Sequence, residues 1–239
     1  MRRCLLGLIL TVTACASSAP TDSGLSQGGA GNDIAAKNPY GESYPTANIG
    51  TSPSANNPET MDVGRRGSTI SNFSFYGYPN GDTSKGQKRV QLADYYDPAG
   101  KLGYKLIHIQ GAGVWCTYCQ TEMELVQPVA GDLRAKGVVL ITVLAEGPVL
   151  GKPATDADLS GWIQKYKPTY TQLIDSGSKN IGVFFDAAAM PWNAYIDPRS
   201  MEILRSGVGL KPGSTSNDVV KEMDGWLRFL EKNSLASQK

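Results

Sequence analysis

The sequence predicts an α/β fold in which helices cover both faces of one sheet. Strand patterns alternate with amphipathic helix patterns between about residues 70 and 230, and residues 138–145 form an almost unbroken aliphatic run. Such a run is typical of a central strand covered on both faces, and the alternation is typical of α/β proteins. We therefore predict one domain over 69–239, a length that fits a single domain.

A hairpin is predicted ahead of this α/β unit, as an N-terminal β extension. Phe73 and Phe75 are followed by Pro79-Asn80-Gly81, which is a turn signal, and an apolar position returns at Val90. The next strand pattern covers 104–109 and precedes the aliphatic run.

Three helices are predicted from apolar residues that recur at helical spacing. The first covers 117–136, and the second begins at a capping box made by Thr155 and Asp158. A β-hairpin whose turn is 197–200 comes next. The last helix carries its apolar face on Val219, Met223, Trp226, Leu227 and Leu230.

The N-terminus has the features of an export signal. Two arginines precede an apolar run, 5–12, that is too short to be a permanent membrane helix. The run ends in Val12-Thr13-Ala14-Cys15, which resembles the lipobox of bacterial lipoproteins. The resemblance implies a signal peptide over 1–14 and a lipid on Cys15, and Ala16 then favours the outer membrane. An ordinary cleaved signal is the alternative.

Residues 15–68 are predicted to form a lipidated N-terminus and a disordered tether. This stretch is rich in Ser, Thr, Asn, Gly and Pro and contains few large apolar residues. Tyr40 and Tyr44 leave open the alternative that the segment binds a partner. We expect an exported protein held by its lipid on a bacterial membrane, facing the periplasm or the cell surface.

Charge and cysteine count narrow the possible functions. A formal net charge of +1 gives no electrostatic reason to expect nucleic acid binding. If Cys4 leaves with the signal and Cys15 carries lipid, Cys116 and Cys119 remain as the only thiols. One close pair does not make a disulfide-stapled scaffold, so the pair indicates metal binding or redox chemistry. A structural zinc site needs four ligands, and this chain offers one close cysteine pair and one histidine. We therefore expect neither a metal nor a cofactor.

The pair lies between a predicted strand and a predicted helix, in Trp115-Cys116-Thr117-Tyr118-Cys119. The first turn of a helix has unpaired N–H groups and the positive end of the helix dipole, which together stabilise a thiolate. Cys116 is therefore the expected nucleophile. Cys119, one turn further along, is close enough to close a disulfide and resolve a mixed one.

Three motifs resemble the TlpA/ResA-like branch of the redoxin superfamily, over about residues 70–230. They are Trp115-Cys-x-x-Cys119, Leu92-Ala93-Asp94-Tyr95, and Met190-Pro191 followed by Asn193-Ala194-Tyr195-Ile196-Asp197. The resemblance implies a thioredoxin-like fold with a central mixed sheet. It also implies a thiol–disulfide oxidoreductase that reduces protein disulfides and receives electrons from an upstream donor. Several members serve cytochrome c maturation, so its components are candidate partners.

The same resemblance assigns roles to further residues. Pro191 would be the cis-proline that faces the disulfide, while Met190 and Trp115 would contact the substrate. Glu122 would tune the thiol pKa and accept its proton, since a neighbouring carboxylate raises the pKa of a thiol. The alternatives are an ordinary loop proline and a solvated glutamate.

Three positions depart from the family or stay open. Gln110 stands where thioredoxin has a buried aspartate, and glutamine cannot take a proton. Pro128 lies one turn after the usual helix-kinking position, so we expect the kink to be moved. His108 is either a satisfied strand residue or a proton shuttle, and the shuttle requires its ring to face the cysteines.

Three rival functions are weaker on sequence grounds. A peroxiredoxin needs a threonine three residues before its reactive cysteine, where this chain has Gly113. A Sco-type copper chaperone needs CxxxC and a later histidine, and none follows Cys116. A binding module without catalysis would not need the two cysteines.

Overall fold

The computed structural model describes residues 36–48, 67–184, 189–209 and 211–233. Within these ranges the chain forms seven strands and four α-helices. The strands are β1 (Ser74–Tyr78), β2 (Lys88–Gln91), β3 (Leu106–Gly113), β4 (Val138–Glu146), β5 (Thr171–Ile174), β6 (Trp192–Asp197) and β7 (Glu202–Val208). The helices are α1 (Thr117–Val126), α2 (Ala130–Ala135), α3 (Asp156–Tyr166) and α4 (Ser216–Lys232).

The strands form one mixed sheet in the order β2-β1-β5-β4-β3-β6-β7. β3, β4 and β5 run parallel, and β6 and β7 continue the sheet with antiparallel pairing. Every residue of β3 and β4 is buried, so both faces of the sheet centre are covered. The predicted α/β fold with a central mixed sheet is therefore confirmed. β1 and β2 form the predicted N-terminal β extension, because β1 pairs antiparallel with both β2 and β5.

The single helix predicted over 117–136 is wrong, because the helix breaks near Pro128. α1 ends at Val126, a 3₁₀ turn occupies Gln127–Val129, and α2 begins at Ala130. Proline lacks the N–H that an α-helix needs at an interior position, which accounts for the break. The kink lies at Pro128, one turn after the usual position, as the sequence predicts.

Capping boxes start the two later helices. At α3 the Thr155 hydroxyl accepts from the backbone N–H of Asp158, and the Asp158 carboxylate accepts from the backbone N–H of Thr155. Thr215 and Asp218 repeat this arrangement at α4. Each box satisfies two N–H groups that a helix start otherwise leaves unpaired.

Residues 36–48 correct the predicted extent of the tether. Tyr44 is buried, its hydroxyl donates to the Ile70 carbonyl at 2.9 Å, and its ring packs edge-on against Tyr96. The Asn38 side chain donates to the Tyr96 carbonyl at 3.0 Å. One large buried aromatic therefore holds this Ser/Asn/Pro-rich stretch against the domain, an effect that composition does not reveal. The rest of the tether, 15–35 and 49–66, lies outside the described residues.

No helix within the described ranges has the length and apolar character needed to cross a bilayer. The signal peptide predicted over 1–14 and the lipid-bearing Cys15 lie outside these ranges.

Candidate active site

The two cysteines form a disulfide at the start of α1. Their Cα atoms are 5.2 Å apart, within the range that a disulfide requires. Cys116 is the residue that caps the helix, and its Sγ accepts from the backbone N–H of Cys119 at 3.1 Å. Both side chains are buried, while Tyr118 between them is about half exposed. The same N–H would stabilise a Cys116 thiolate in the reduced protein.

Trp115 is held beside the disulfide by β4 and the loop that follows it. Its indole Nε1 donates to Glu146 Oε2 at 2.6 Å, and its backbone N–H donates to the Gly147 carbonyl. Glu146 Oε2 also accepts from the backbone N–H of Gly151 at 2.9 Å. The buried carboxylate therefore ties the indole to the 147–151 loop.

The Met190–Pro191 peptide bond is cis, and it lies just before β6. Gly113, at the end of β3, brings Met190 and Trp115 together. A Cβ added at Gly113 would lie 2.7 Å from the indole Nε1 and 3.2 Å from Met190 Sδ. Met190 and Trp115 thus both lie against Gly113, three residues before Cys116, and their contact with a substrate stays a prediction.

Gln110 lies directly under α1. Its Nε2 donates to the Cys119 carbonyl at 3.3 Å, and its Oε1 accepts from the Thr142 hydroxyl at 3.1 Å. The side chain is buried and has partners on both sides. It positions the helix turn that carries Cys119 and, as an amide, takes no proton.

Glu122 follows Cys119 by one helical turn and is buried. Burial raises the pKa of the Glu122 carboxyl to about 7, and hydrogen bonds from Asn193 and Gln110 oppose this rise. Asn193 Nδ2 donates to Glu122 Oε2 at 3.1 Å. A carboxyl of this kind exchanges a proton near neutral pH, as a general acid or base must.

His108 faces Glu122 across the sheet surface. Its Nε2 lies 3.0 Å from Asn193 Oδ1 and 3.9 Å from Glu122 Oε1. Burial lowers the pKa of His108 to about 4. Between pH 4 and 7, burial therefore favours the neutral form of both groups. The His108 ring has a hydrogen-bond partner, as expected of a satisfied strand residue, and its Nε2 points toward the Glu122 carboxyl. A proton-shuttle role for His108 stays a prediction.

A cavity of about 560 Å³ adjoins this cluster. Glu122, His108 and Asn193 line its inner end, and exposed residues of α4 and the preceding loop line its rim. In the part of the chain that the structure describes, no three His, Cys, Asp or Glu side chains are grouped to hold a metal ion.

No protein-family model and no curated protein matches this chain. Three solved structures share its fold over most of their length. A protein provisionally named thiol:disulfide interchange protein DsbE, from Chlorobium tepidum, is 18% identical with a TM-score of 0.50; the alignment covers 68% of this chain and 97% of that one. AhpC from Enterococcus faecalis is 15% identical with a TM-score of 0.51, covering 70% and 95%. A protein provisionally named a disulfide isomerase, from Bacteroides thetaiotaomicron, is 16% identical with a TM-score of 0.53, covering 72% and 96%.

This chain has a thioredoxin-like fold. The fold implied by the resemblance to TlpA/ResA-like proteins is thus confirmed.

Two features of this thioredoxin-like site were absent from the sequence analysis. The sequence alone assigns no role to Asn193 or to Glu146. Asn193 contacts Glu122 and Glu146 contacts Trp115, each far away in the chain, so no local pattern predicts either contact. For Glu146 the sequence offers one weak signal, its place as a lone acidic residue at the end of an aliphatic run.

Proposed function

We propose that this protein is an extracytoplasmic thiol–disulfide oxidoreductase that reduces disulfides in other proteins through Cys116 and Cys119. The observation that carries the proposal is the cap geometry at α1. Cys116 Sγ accepts the Cys119 backbone N–H at the positive end of a helix, which favours the thiolate needed for attack. Two structural neighbours, one named a thiol:disulfide interchange protein and the other a protein disulfide isomerase, support the same class of chemistry.

The reaction proceeds by two exchanges. The Cys116 thiolate attacks one sulfur of the substrate disulfide, and a mixed disulfide forms as the first substrate thiolate leaves and takes a proton from solvent. Cys119 then gives its proton to Glu122, and its thiolate attacks the Cys116 sulfur. The enzyme disulfide forms, the second substrate thiolate leaves and is protonated, and two electrons have passed to the substrate.

Insulin reduction tests the activity. We expect the reduced protein to precipitate insulin chains, with dithiothreitol as electron donor, and the Cys116→Ser variant to do so no faster than dithiothreitol alone. Consumption of hydrogen peroxide without insulin reduction would replace the proposal with a peroxidase. Full cellular function in a Cys116→Ser, Cys119→Ser double variant would replace it with a binding module.

A trapping variant tests whether the substrate is a protein. In Cys119→Ala the resolving thiol is absent, so a substrate stays linked to Cys116 as a mixed disulfide. We expect non-reducing gels of host extracts to show adducts that dithiothreitol releases and that mass spectrometry identifies. Components of cytochrome c maturation are the first candidates among them. Absence of any adduct would contradict a protein substrate.

The N-terminal motif supports export and lipidation at Cys15. We expect the mature protein to begin at Cys15 and to carry a mass increment of the diacylglycerol type. It should fractionate with membranes, and we favour the outer membrane over the inner one. Cys15→Ala should release it from that fraction. A mature N-terminus elsewhere, without the added mass, would contradict the lipid anchor and leave the redox proposal untouched.

A further inference from the structure

Asn193 stands between two buried groups from other elements. Its Oδ1 lies 3.0 Å from His108 Nε2, and its Nδ2 lies 3.1 Å from Glu122 Oε2. His108 is on β3, Asn193 on the neighbouring strand β6, and Glu122 on α1, which packs over them. One amide therefore joins the strand histidine to the helix carboxyl.

The direction of these hydrogen bonds determines how Asn193 is oriented. Since burial keeps His108 neutral above about pH 4, one ring nitrogen carries the proton. With that proton on Nε2, His108 donates to the Asn193 carbonyl oxygen. The amide nitrogen is then aimed at Glu122 Oε2, as the structure has it. The Tyr195 ring packs at a tilt against the His108 ring, with centroids 5.0 Å apart, and holds it in place.

We propose that His108 and Asn193 form a positioning pair that holds Glu122 for proton exchange between Cys119 and solvent in the adjacent cavity. The inference rests on the proposed function and deepens it. Glu122 takes the Cys119 proton during resolution, Cys119 attacks Cys116, and Glu122 then releases the proton to solvent through the cavity of about 560 Å³. Neither His108 nor Asn193 touches the reacting sulfurs in this scheme.

Other charged groups around the cavity belong to its rim. Arg205 Nη1 donates to Glu222 Oε1 at 2.9 Å, which offsets the Glu222 charge. Glu222 raises the pKa of Glu122, but this effect is smaller than that of burial or of the two amides. The titratable and charged groups that face Glu122 or share its cavity are His108, Tyr170, Tyr195, Arg205, Lys211, Asp218 and Glu222.

Two readouts test the pair. Carbon-13 NMR of the disulfide form, labelled at glutamate carboxyls and assigned with Glu122→Gln, reports the Glu122 pKa without any activity. Rapid mixing of the reduced protein with dithiobis(nitrobenzoate) releases one chromophore when Cys116 attacks and a second when Cys119 resolves. The pH midpoint of the second phase reports the proton acceptor, because resolution requires ionised Glu122.

We expect Asn193→Leu to raise the Glu122 pKa, and the second-phase midpoint with it, by about one pH unit, since a hydrogen bond to the carboxylate is lost. His108→Phe keeps the ring contact with Tyr195 and removes the hydrogen-bond donor to Asn193, so it should move both values in the same direction by a smaller amount. Ser206→Ala is the matched control. Ser206, on β7, accepts a buried hydrogen bond from the Trp192 indole on β6, and this bond is lost in the variant. The partners of Glu122 stay intact, so neither the Glu122 pKa nor the second-phase midpoint should move.

The proposal that His108 and Asn193 form a positioning pair is overturned if the Glu122 pKa and the second-phase midpoint both stay at the wild-type level in Asn193→Leu and His108→Phe. It is also overturned if Ser206→Ala moves them equally, or if the carboxyl pKa rises and the kinetic midpoint does not follow. If Asn193→Leu does not fold, His108→Phe decides alone. Failure of the wild-type protein to reduce insulin is a separate result, which overturns the proposed function.

Discussion

The Trp115 indole Nε1 lies 2.6 Å from Glu146 Oε2, and it donates a hydrogen bond to this buried carboxylate at the end of β4. The same oxygen accepts from the Gly151 backbone N–H. One carboxylate oxygen thus fixes both the side chain that precedes the CxxC turn and the loop beside it.

Replacing Glu146 should weaken substrate binding more than it slows the thiol–disulfide exchange itself. Glu146→Leu removes the acceptor for Trp115 and Gly151, and each hydrogen bond to a charged group is worth about 1.5–3 kcal/mol. We expect kcat/KM for insulin to fall by about tenfold or more, mainly through KM. Glu146→Gln keeps an acceptor oxygen and should retain most of the activity. Equal kinetics in wild type and Glu146→Leu would show that the indole needs no such anchor.

Glu122 and His108 act on stability in opposite directions as pH changes. Folding raises the pKa of Glu122 from about 4.5 to about 7. In that window the unfolded chain has lost a proton that the folded chain keeps, so the free energy of unfolding falls as pH rises. Folding lowers the pKa of His108 from about 6.5 to about 4. There the unfolded chain holds the extra proton, so the free energy of unfolding rises with pH.

Removing Glu122 should therefore unmask the His108 contribution. Between about pH 4.5 and 6.5 we expect the free energy of unfolding of Glu122→Gln to rise relative to wild type by about 1.4 kcal/mol per pH unit at most. His108→Gln should show the opposite relative slope. Urea denaturation of the disulfide form at three pH values measures both. Curves that run parallel to wild type would contradict the burial of these two groups.

Tyr44 should anchor residues 36–48 to the domain. Tyr44→Ala removes a buried ring and its hydrogen bond to Ile70, and we expect a loss of about 3 kcal/mol in the free energy of unfolding. Tyr44→Phe should cost about 1 kcal/mol, since the Ile70 carbonyl loses its donor. Tyr40→Ala, at a side chain that is 53% exposed, is the control and should change stability by less than about 0.5 kcal/mol. An unchanged free energy of unfolding in Tyr44→Ala would mean that residues 36–48 do not stabilise the domain.

Two glycines should respond oppositely to alanine. At Gly113 the added Cβ would meet the indole of Trp115 at 2.7 Å, and the indole is already held by Glu146. We expect Gly113→Ala to lower both stability and insulin reduction. At Gly161, on the exposed face of α3, the Cβ would meet nothing within 4 Å, and alanine should stabilise by about 1 kcal/mol. Thermal melts and insulin kinetics of both variants check this, and a neutral Gly113→Ala would count against the close contact.

Local patterns explain why much of the fold was predictable. The aliphatic run became β4, the Thr155 capping box starts α3, and the CxxC motif follows β3 and begins α1. Each of these signals involves residues within a few positions of one another. The break at Pro128 ended a helix that apolar spacing alone extends to 136, because the spacing takes no account of the missing N–H.

The contacts that organise the site were not predictable in this way. His108 and Asn193 are 85 positions apart and meet only because β3 and β6 pair in one register. Tyr44 is likewise a core residue only because the fold places its ring against Tyr96 and its hydroxyl against the Ile70 carbonyl. Such contacts depend on strand order and packing, which periodicity within one segment does not encode.

The redox potential of the Cys116–Cys119 pair tests the central claim most directly. Equilibration of the protein with thiol buffers of known potential, followed by acid trapping and mass spectrometry, gives the fraction in the dithiol form. A protein-disulfide reductase should titrate as a two-electron couple toward the reducing end of the range for this fold, near the value of about −270 mV for thioredoxin. A value near the −120 mV or so of DsbA, or a pair that does not titrate, would contradict the account.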